Sequence, residues 1–294
     1  MELSSLLQGV INGLLLGGVY ALASVGANLI WGVMRIVNFA HGSFIILSTF
    51  FCYYLFYLFG IDPILSIVLL GPLFFVIGYV TKLVLVKPVE RKTEGSQFEL
   101  TTLIVFFGLS VALEGLMYFF FTTTPKSILV EYSSITSFEI AGAYVSVSRL
   151  IVFAISIIAI SSFAAFLNKT GFGKAIRATS QDREAAEILG IDTDRISLIS
   201  FGLGSALAAL AGIAIGLLFP FSASSALPWG IKAFIVVVLG GIGSNLGTLV
   251  GALILGLTES LTGTIFPFIG KDIGTFVIFI LIVLLRPKGL FGKT

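Results

Sequence analysis

Leu6 to Ile30 reads LLQGVINGLLLGGVYALASVGANLI, 25 residues without a charge. At ~1.5 Å per residue this makes about 37 Å of helix, enough to cross a ~30 Å hydrocarbon core. Pro63 to Val86, Leu100 to Phe121, Leu150 to Leu167 and Ile196 to Phe219 repeat the signal with at most a few ionisable residues each. A chain built this way folds in lipid, where every backbone polar group must be paired within the protein.

Composition agrees. Of 294 residues, 57% are hydrophobic and 11% charged, against roughly 45–50% and about 25% in an average soluble domain. The reading is one all-α, polytopic membrane domain over residues 1–294, with spans Leu6 to Val33, Gly42 to Gly60, Pro63 to Val86, Phe98 to Phe121, Leu150 to Leu167, Ile196 to Phe219, Leu246 to Phe266 and Ile273 to Leu285. Between the sixth and seventh, Ile231 to Leu239 is apolar for only half a bilayer's depth before Gly-Gly-Ile-Gly-Ser-Asn, so the region 230–245 reads as a broken or half-length segment. The opening Met1-Glu2, with no basic residue before Arg35, lacks the charged start of a cleavable signal, and the first apolar stretch is expected to remain as a helix.

Lys and Arg set the orientation, because cytoplasmic loops near helix ends hold the excess. With the amino terminus outside and the carboxyl terminus cytoplasmic, the inner loops receive Arg35, Lys82, Lys87, Arg91, Lys92, Lys169, Lys174, Arg177, Arg183, Arg195, Arg286, Lys288 and Lys293, leaving Lys126, Arg149, Lys232 and Lys271 outside. The assignment requires the segment near 230–245 to cross. Thr122 to Ser148 is the one long outer loop; it carries Glu131 and Glu139, and Ala143-Tyr-Val-Ser-Val alternates enough for a short strand.

Two glycine-rich breaks interrupt the apolar pattern, Asn38-Phe39-Ala40-His41-Gly42 and Gly240-Gly241-Ile242-Gly243-Ser244-Asn245, each followed by a long apolar helix. Irregular backbone at membrane depth survives only against protein or a water-filled cavity, and paired breaks point to a translocation pathway. His41, the single histidine, either ties its break together or offers polar contacts beside Asn38 to a passing solute. Three intramembrane charges, Glu114, Lys232 and Glu259, fall in the outer half; an ion pair of Lys232 with Glu114 or Glu259 would offset their burial, and the alternative is snorkelling of Lys232 to the interface. Small residues at Gly13, Gly17 and Ala21, at Gly202 and Ala206, and at Gly247 and Gly251 have helix-packing spacing.

Residues 169–195, KTGFGKAIRATSQDREAAEILGIDTDR, form the only long charged inner segment. A helix from Gly173 would put Ala175, Ile176, Ala178, Thr179, Ala185, Ala186 and Leu189 on one small-residue face, Asp182 and Ser180 could cap a second turn, and Gly190 reads as a left-handed stop. The face suits docking in a partner's groove; the plainer reading is a solvated loop helix.

Glu184-Ala185-Ala186 with Gly190 resembles the EAA-loop signature of permease subunits in ATP-binding-cassette importers. The longer string Ala175 to Asp192, AIRATSQDREAAEILGID, is similar to the branched-chain amino acid family of these permeases, as are Gly18-Val-Tyr-Ala-Leu22, Ile36-Val-Asn-Phe-Ala-His-Gly42 and Leu239-Gly-Gly-Ile-Gly-Ser-Asn-Leu-Gly247. The resemblance implies that Arg177, Asp182, Glu184, Ala185, Ala186 and Gly190 couple the chain to an ATPase. It further implies ABC ATPase subunits, a second related permease subunit and an extracytoplasmic substrate-binding protein as partners, in a cell inner membrane. Its expected substrates are Leu, Ile, Val or a related small polar solute.

No GxxxxGK[ST] run exists to cradle ATP phosphates, so ATP would be used by partner subunits and this chain is expected to bind no cofactor. One histidine and one cysteine, Cys52, make no His/Cys metal cluster. No nucleophile, base and orienter form a set, so no enzyme activity is expected, and a net charge of +2 does not suggest nucleic acid. The competing class is an ion-coupled secondary transporter running through Glu114 and Glu259.

Overall fold

The computed structural model describes residues 3–93, 95–121, 123–130, 137–140, 143–266 and 271–292. Thr122, Glu131 and Lys293, used above for the outer loop and the charge tally, lie outside the described residues. Helix α1 (Leu3–Met34) is followed by α2 (His41–Phe59), α3 (Ser66–Thr81), a π turn (Lys82–Val86) with a short continuation α4 (Lys87–Glu90), and α5 (Gly95–Phe121). A hairpin of β1 (Ser137–Ile140) and β2 (Ala143–Ser146) leads into α6 (Val147–Lys169), α7 (Gly171–Gln181) and α8 (Arg183–Ile188). The chain closes with α9 (Thr193–Leu218), a 3-10 turn (Ala223–Ser225) running into α10 (Ala226–Gly240), then α11 (Asn245–Ile265) and α12 (Lys271–Leu285). Among the described residues, eight helices are long and apolar enough to cross a membrane, and α12 is a shorter apolar helix.

Helices α1 and α9 are the most enclosed and form the centre, whereas α3, α5 and α6 keep most of their apolar surface outward. Lipid tails give no hydrophobic reward for burial, so close backbone approach and polar contacts hold such a bundle. A Cβ at Gly13 would lie 2.8 Å from Leu257 Cα on α11, and one at Gly26 would lie 2.4 Å from the Gly204 carbonyl on α9. Ser48 and Thr49 of α2 donate to the Ala209 and Gly212 carbonyls of α9 at 2.9 and 2.8 Å. The small-residue positions read from the sequence do sit at these crossings, with Gly247 and Gly251 against α10 and Gly202 against Phe75.

Two expectations are corrected. The half-length segment near 230–245 is a continuous helix from Ala226, prolonged by the 3-10 turn to an 18-residue span. Pro228 falls in the first helical turn, where its missing N–H costs little; Gly230 packs on Gly42, and Lys232 is ion-paired, so none of the residues that interrupt the hydropathy interrupts the helix. Lys82, read as a loop cation, is fully buried in the π turn, its ammonium 2.7 Å from Glu90. The strand expected at Ala143 does form, and Gln8 clamps it to α1, its side chain donating to the Tyr144 carbonyl at 2.7 Å and accepting from the Tyr144 N–H at 2.6 Å.

Candidate functional site

After Met34 the chain turns through Arg35, at φ +54, and runs back along α1. His41 then opens α2 with Nε2 2.8 Å from the Ala23 carbonyl, about 16 Å back from the end of α1 at ~1.5 Å per residue. Helix α2 therefore starts inside the bundle. Helix α10 does the same from the opposite side: Phe221 stacks edge-on against Phe50 at 5.1 Å, and the chain then descends to Ala226, whose carbonyl would lie 2.1 Å from a Cβ on Gly42. Two helix amino termini thus meet in the interior, Gly42 against Gly230, with Phe39 packed on Phe107 of α5 at 6.5 Å.

This revises the pairing of breaks. Gly240 to Asn245 is a turn at the end of the bundle, level with Gly32 of α1, and not an interior break. Gly241 and Gly243 take φ +100 and +77, open to glycine and strained for any other residue. Gly243 N–H donates to Asn28 Oδ1 at 2.8 Å, Asn28 Nδ2 reaches Asn245 Oδ1 at 3.3 Å, and Ser244 caps α11 by accepting from Gly247 N–H at 3.1 Å. The interior partner of the Asn38 to Gly42 break is 219–225, whose Phe-Pro-Phe-Ser run carries no glycine signature.

Of the three intramembrane charges, the structure brings two together. Lys232 Nζ stands 3.0 and 3.1 Å from the two Glu259 oxygens and 3.2 Å from the Tyr20 hydroxyl, which itself donates to Glu259 Oε2. Trp229 lies 5.9 Å from the ammonium and 5.7 Å from the Tyr20 ring. Glu114 is the unused alternative; it is half-buried on α5 with no ion pair among the described residues. Tyr20 was missed, although a phenol inside an uncharged run was a visible signal.

The inner segment is two helices, not one. Asp182 takes an extended φ/ψ, caps α8 by accepting from Ala185 N–H at 3.0 Å, and ends α7. Ile191 N–H bonds the Ala186 carbonyl and Gly190 N–H the Glu187 carbonyl with Gly190 at φ +81, a Schellman stop at the expected residue. The small-residue face divides: Ile176, Thr179 and Ala186, with Gly173 beside them, are buried against the chain itself, while Ala185 and Leu189 of the same face are exposed. Glu184 and Ala185 are exposed, beside Ile188 and Leu189 at 86% and 79% exposure, an apolar tip to which Ile188 contributes although the sequence reading left it out. Arg183 links this tip to the bundle, 3.3 Å from Glu187 and 3.3 Å from Asp194, which also lies 3.7 Å from Lys87. The Thr193 hydroxyl and the Arg183 guanidinium hold the Glu187 carboxyl below the usual carboxylate range.

Arg177 is exposed and donates to Asn168 Oδ1 of its own chain at 2.6 Å. It lines a cavity of about 1090 Å³ with Gln181, Gly243, Asn245 and Lys288, so the second glycine turn and the charged segment share one space. All these features lie at the end of the bundle that gathers the basic residues.

Sequence comparison fits this architecture. The family described as "Branched-chain amino acid transport system / permease component" matches residues 9–285. The chain belongs to this family of permeases. The LivH permease protein of Salmonella typhimurium is 30% identical over 98% of this chain and 96% of its own length, and the BraD permease protein of Pseudomonas aeruginosa is 28% identical over 99% and 97%. A shorter match joins 37% of the chain, at 37% identity, to 33% of the autoinducer 2 import permease LsrC of Yersinia enterocolitica. No solved structure matches. The permease is thus a multi-pass membrane component of a transport system.

Proposed function

We propose that this permease carries branched-chain amino acids, or a small polar solute of similar size, across the inner membrane by alternating access, driven by separate ATP-binding-cassette ATPases. The near full-length match to branched-chain amino acid permeases supports the substrate class, and the partial match to an autoinducer 2 permease marks the range of solutes that related frames carry.

The observation that carries the coupling role is the α8 tip. Glu184, Ala185, Ile188 and Leu189 stand out from the bundle, while Ala186 and the Arg183–Asp194 contact root the helix on α9. Large exposed apolar side chains on a charged segment mark a docking surface. An ATPase that seats this tip moves α8, and through Arg183, Asp194 and Lys87 the push reaches both α9 and α4. Rigid-body motion of α9 against α2 would then open and close the interior crossing of α2 and α10. A second permease subunit and an extracytoplasmic binding protein complete the assembly, with the amino terminus outside.

In this reading, Lys232, Glu259 and Tyr20 brace α10, α11 and α1 in the outer half. The charges are used up on each other, which leaves no free carboxylate for ion coupling at this point. Co-expression with the neighbouring genes tests the assignment: a detergent-stable complex containing an ABC ATPase, lost when Glu184 to Gly190 is altered, is the expected result. A chain that purifies alone and transports on an ion gradient would overturn it.

A further inference from the structure

Asn38 and His41 close the turn that delivers the chain into the bundle, the His41 N–H donating to the Asn38 carbonyl at 3.2 Å. The His41 ring is only 2% exposed. Its Nε2 faces the Ala23 carbonyl at 2.8 Å, and a carbonyl can only accept, so Nε2 carries the proton and Nδ1 of the neutral ring presents a lone pair. Nδ1 is buried with no hydrogen-bond partner among the described residues, and so are both Oδ1 and Nδ2 of Asn38. These two residues line one cavity with Ala27, Trp31, Gly230 and Phe234, at the crossing of α2 and α10.

That cavity measures about 20 Å³, room for one water, which needs roughly 10–15 Å³ and two to four polar partners. An amino acid is many times too large for this space, so in this conformation the cavity fits a water and not a substrate against His41. The three orphan atoms are two acceptors and an amide nitrogen that carries two N–H donors. A water supplies two donors and an acceptor: it donates to His41 Nδ1 and to Asn38 Oδ1 and accepts from Asn38 Nδ2. A metal cation cannot accept an Nδ2 hydrogen and ammonium has no lone pair for one, so either would leave both Nδ2 hydrogens unpaired where water takes one.

We propose that Asn38 and His41 hold a single buried water at the point where the two interior helix starts cross. It joins Asn38 to His41 in place of a direct side-chain bond, beside the point where Gly42 and Gly230 meet.

The single histidine makes the test unambiguous. The full-length chain, labelled with [15N]histidine and reconstituted in lipid bilayers with the subunits it assembles with, is studied by solid-state NMR. Expected are an Nε2-protonated tautomer, an Nδ1 resonance shifted by accepting a hydrogen bond, and magnetisation transfer from water to the ring. Asn38→Leu removes one partner, and Ala27→Val narrows the cavity; both should cut the transfer at least several-fold while the Nε2–H resonance, which reports the Ala23 bond and hence an intact fold, stays in place. Transfer in the wild type no stronger than in Asn38→Leu would overturn the proposal, as would a proton on Nδ1. An Nδ1 resonance that follows Na+ or NH4+ concentration would replace water with a cation.

Discussion

The Glu259 carboxylate accepts from both Lys232 and Tyr20, so one acid on α11 ties together α10 and α1 inside the membrane span. Removing one member of a buried pair strands the other, at a cost of about 3 kcal/mol or more. Lys232→Met should therefore destabilise the purified permease by about that amount, and Lys232→Met with Glu259→Leu should recover most of the loss. Thermal unfolding in detergent measures both, and single variants within about 0.5 kcal/mol of wild type would show that the pair is solvated and weak.

Gly42 and Gly108 should respond in opposite ways to alanine. A Cβ at Gly42 runs into the Ala226 carbonyl at 2.1 Å, whereas no described residue lies within 4 Å of one at Gly108. Gly42→Ala is expected to cost about 1–3 kcal/mol by overpacking, more if α10 cannot shift, and Gly108→Ala little or nothing. Equal effects in a stability assay would mean that α2 and α10 do not cross at Gly42.

The apolar tip predicts a separation of assembly from folding. Ile188→Asp with Leu189→Asp changes only exposed side chains, so membrane insertion and melting temperature should hold while retention of the ATPase during purification drops at least tenfold. Unchanged retention would place the docking contact elsewhere.

Acid should loosen the same helix. The Thr193 hydroxyl, and then Arg183, lower the Glu187 value below its ordinary 4.5. A depressed folded value gives stability that is present above the unfolded value and lost as pH falls through the folded one. Protection of residues 183–191 from hydrogen exchange, corrected for the intrinsic effect of pH, should therefore be flat near neutrality and fail below pH 4.5, with Thr193→Val moving that midpoint upward. Identical midpoints would deny Thr193 its part.

Most of the architecture was legible because lipid imposes a simple rule on sequence: long apolar runs become helices, and charges gather at one end. The Schellman stop at Gly190 and the cap at Asp182 were equally readable, since each depends on local backbone chemistry. Reading failed where tertiary contacts compensate for a local defect. Pro228, Gly230 and Lys232 look like a broken helix until Gly42 and Glu259 are seen opposite them. The second interior break was misplaced to 240–245 because glycine marked a tight turn there, while 219–225 re-enters with no glycine at all. The small-residue face of the inner segment was recognised, but its Ile176, Thr179 and Ala186 are buried against the chain, whereas its Ala185 and Leu189 stand exposed with Ile188 at the tip.

ATP-dependent uptake in reconstituted vesicles tests the central claim most directly. Vesicles carrying this permease, its partner permease and the ATPases, supplied with the binding protein and labelled leucine, should accumulate solute only with ATP inside, should ignore ionophores that collapse proton and sodium gradients, and should lose coupling on Ala185→Trp or Gly190→Val. Uptake without ATPase that vanishes with the ion gradient, or full ATP-driven uptake by both variants, would contradict the account.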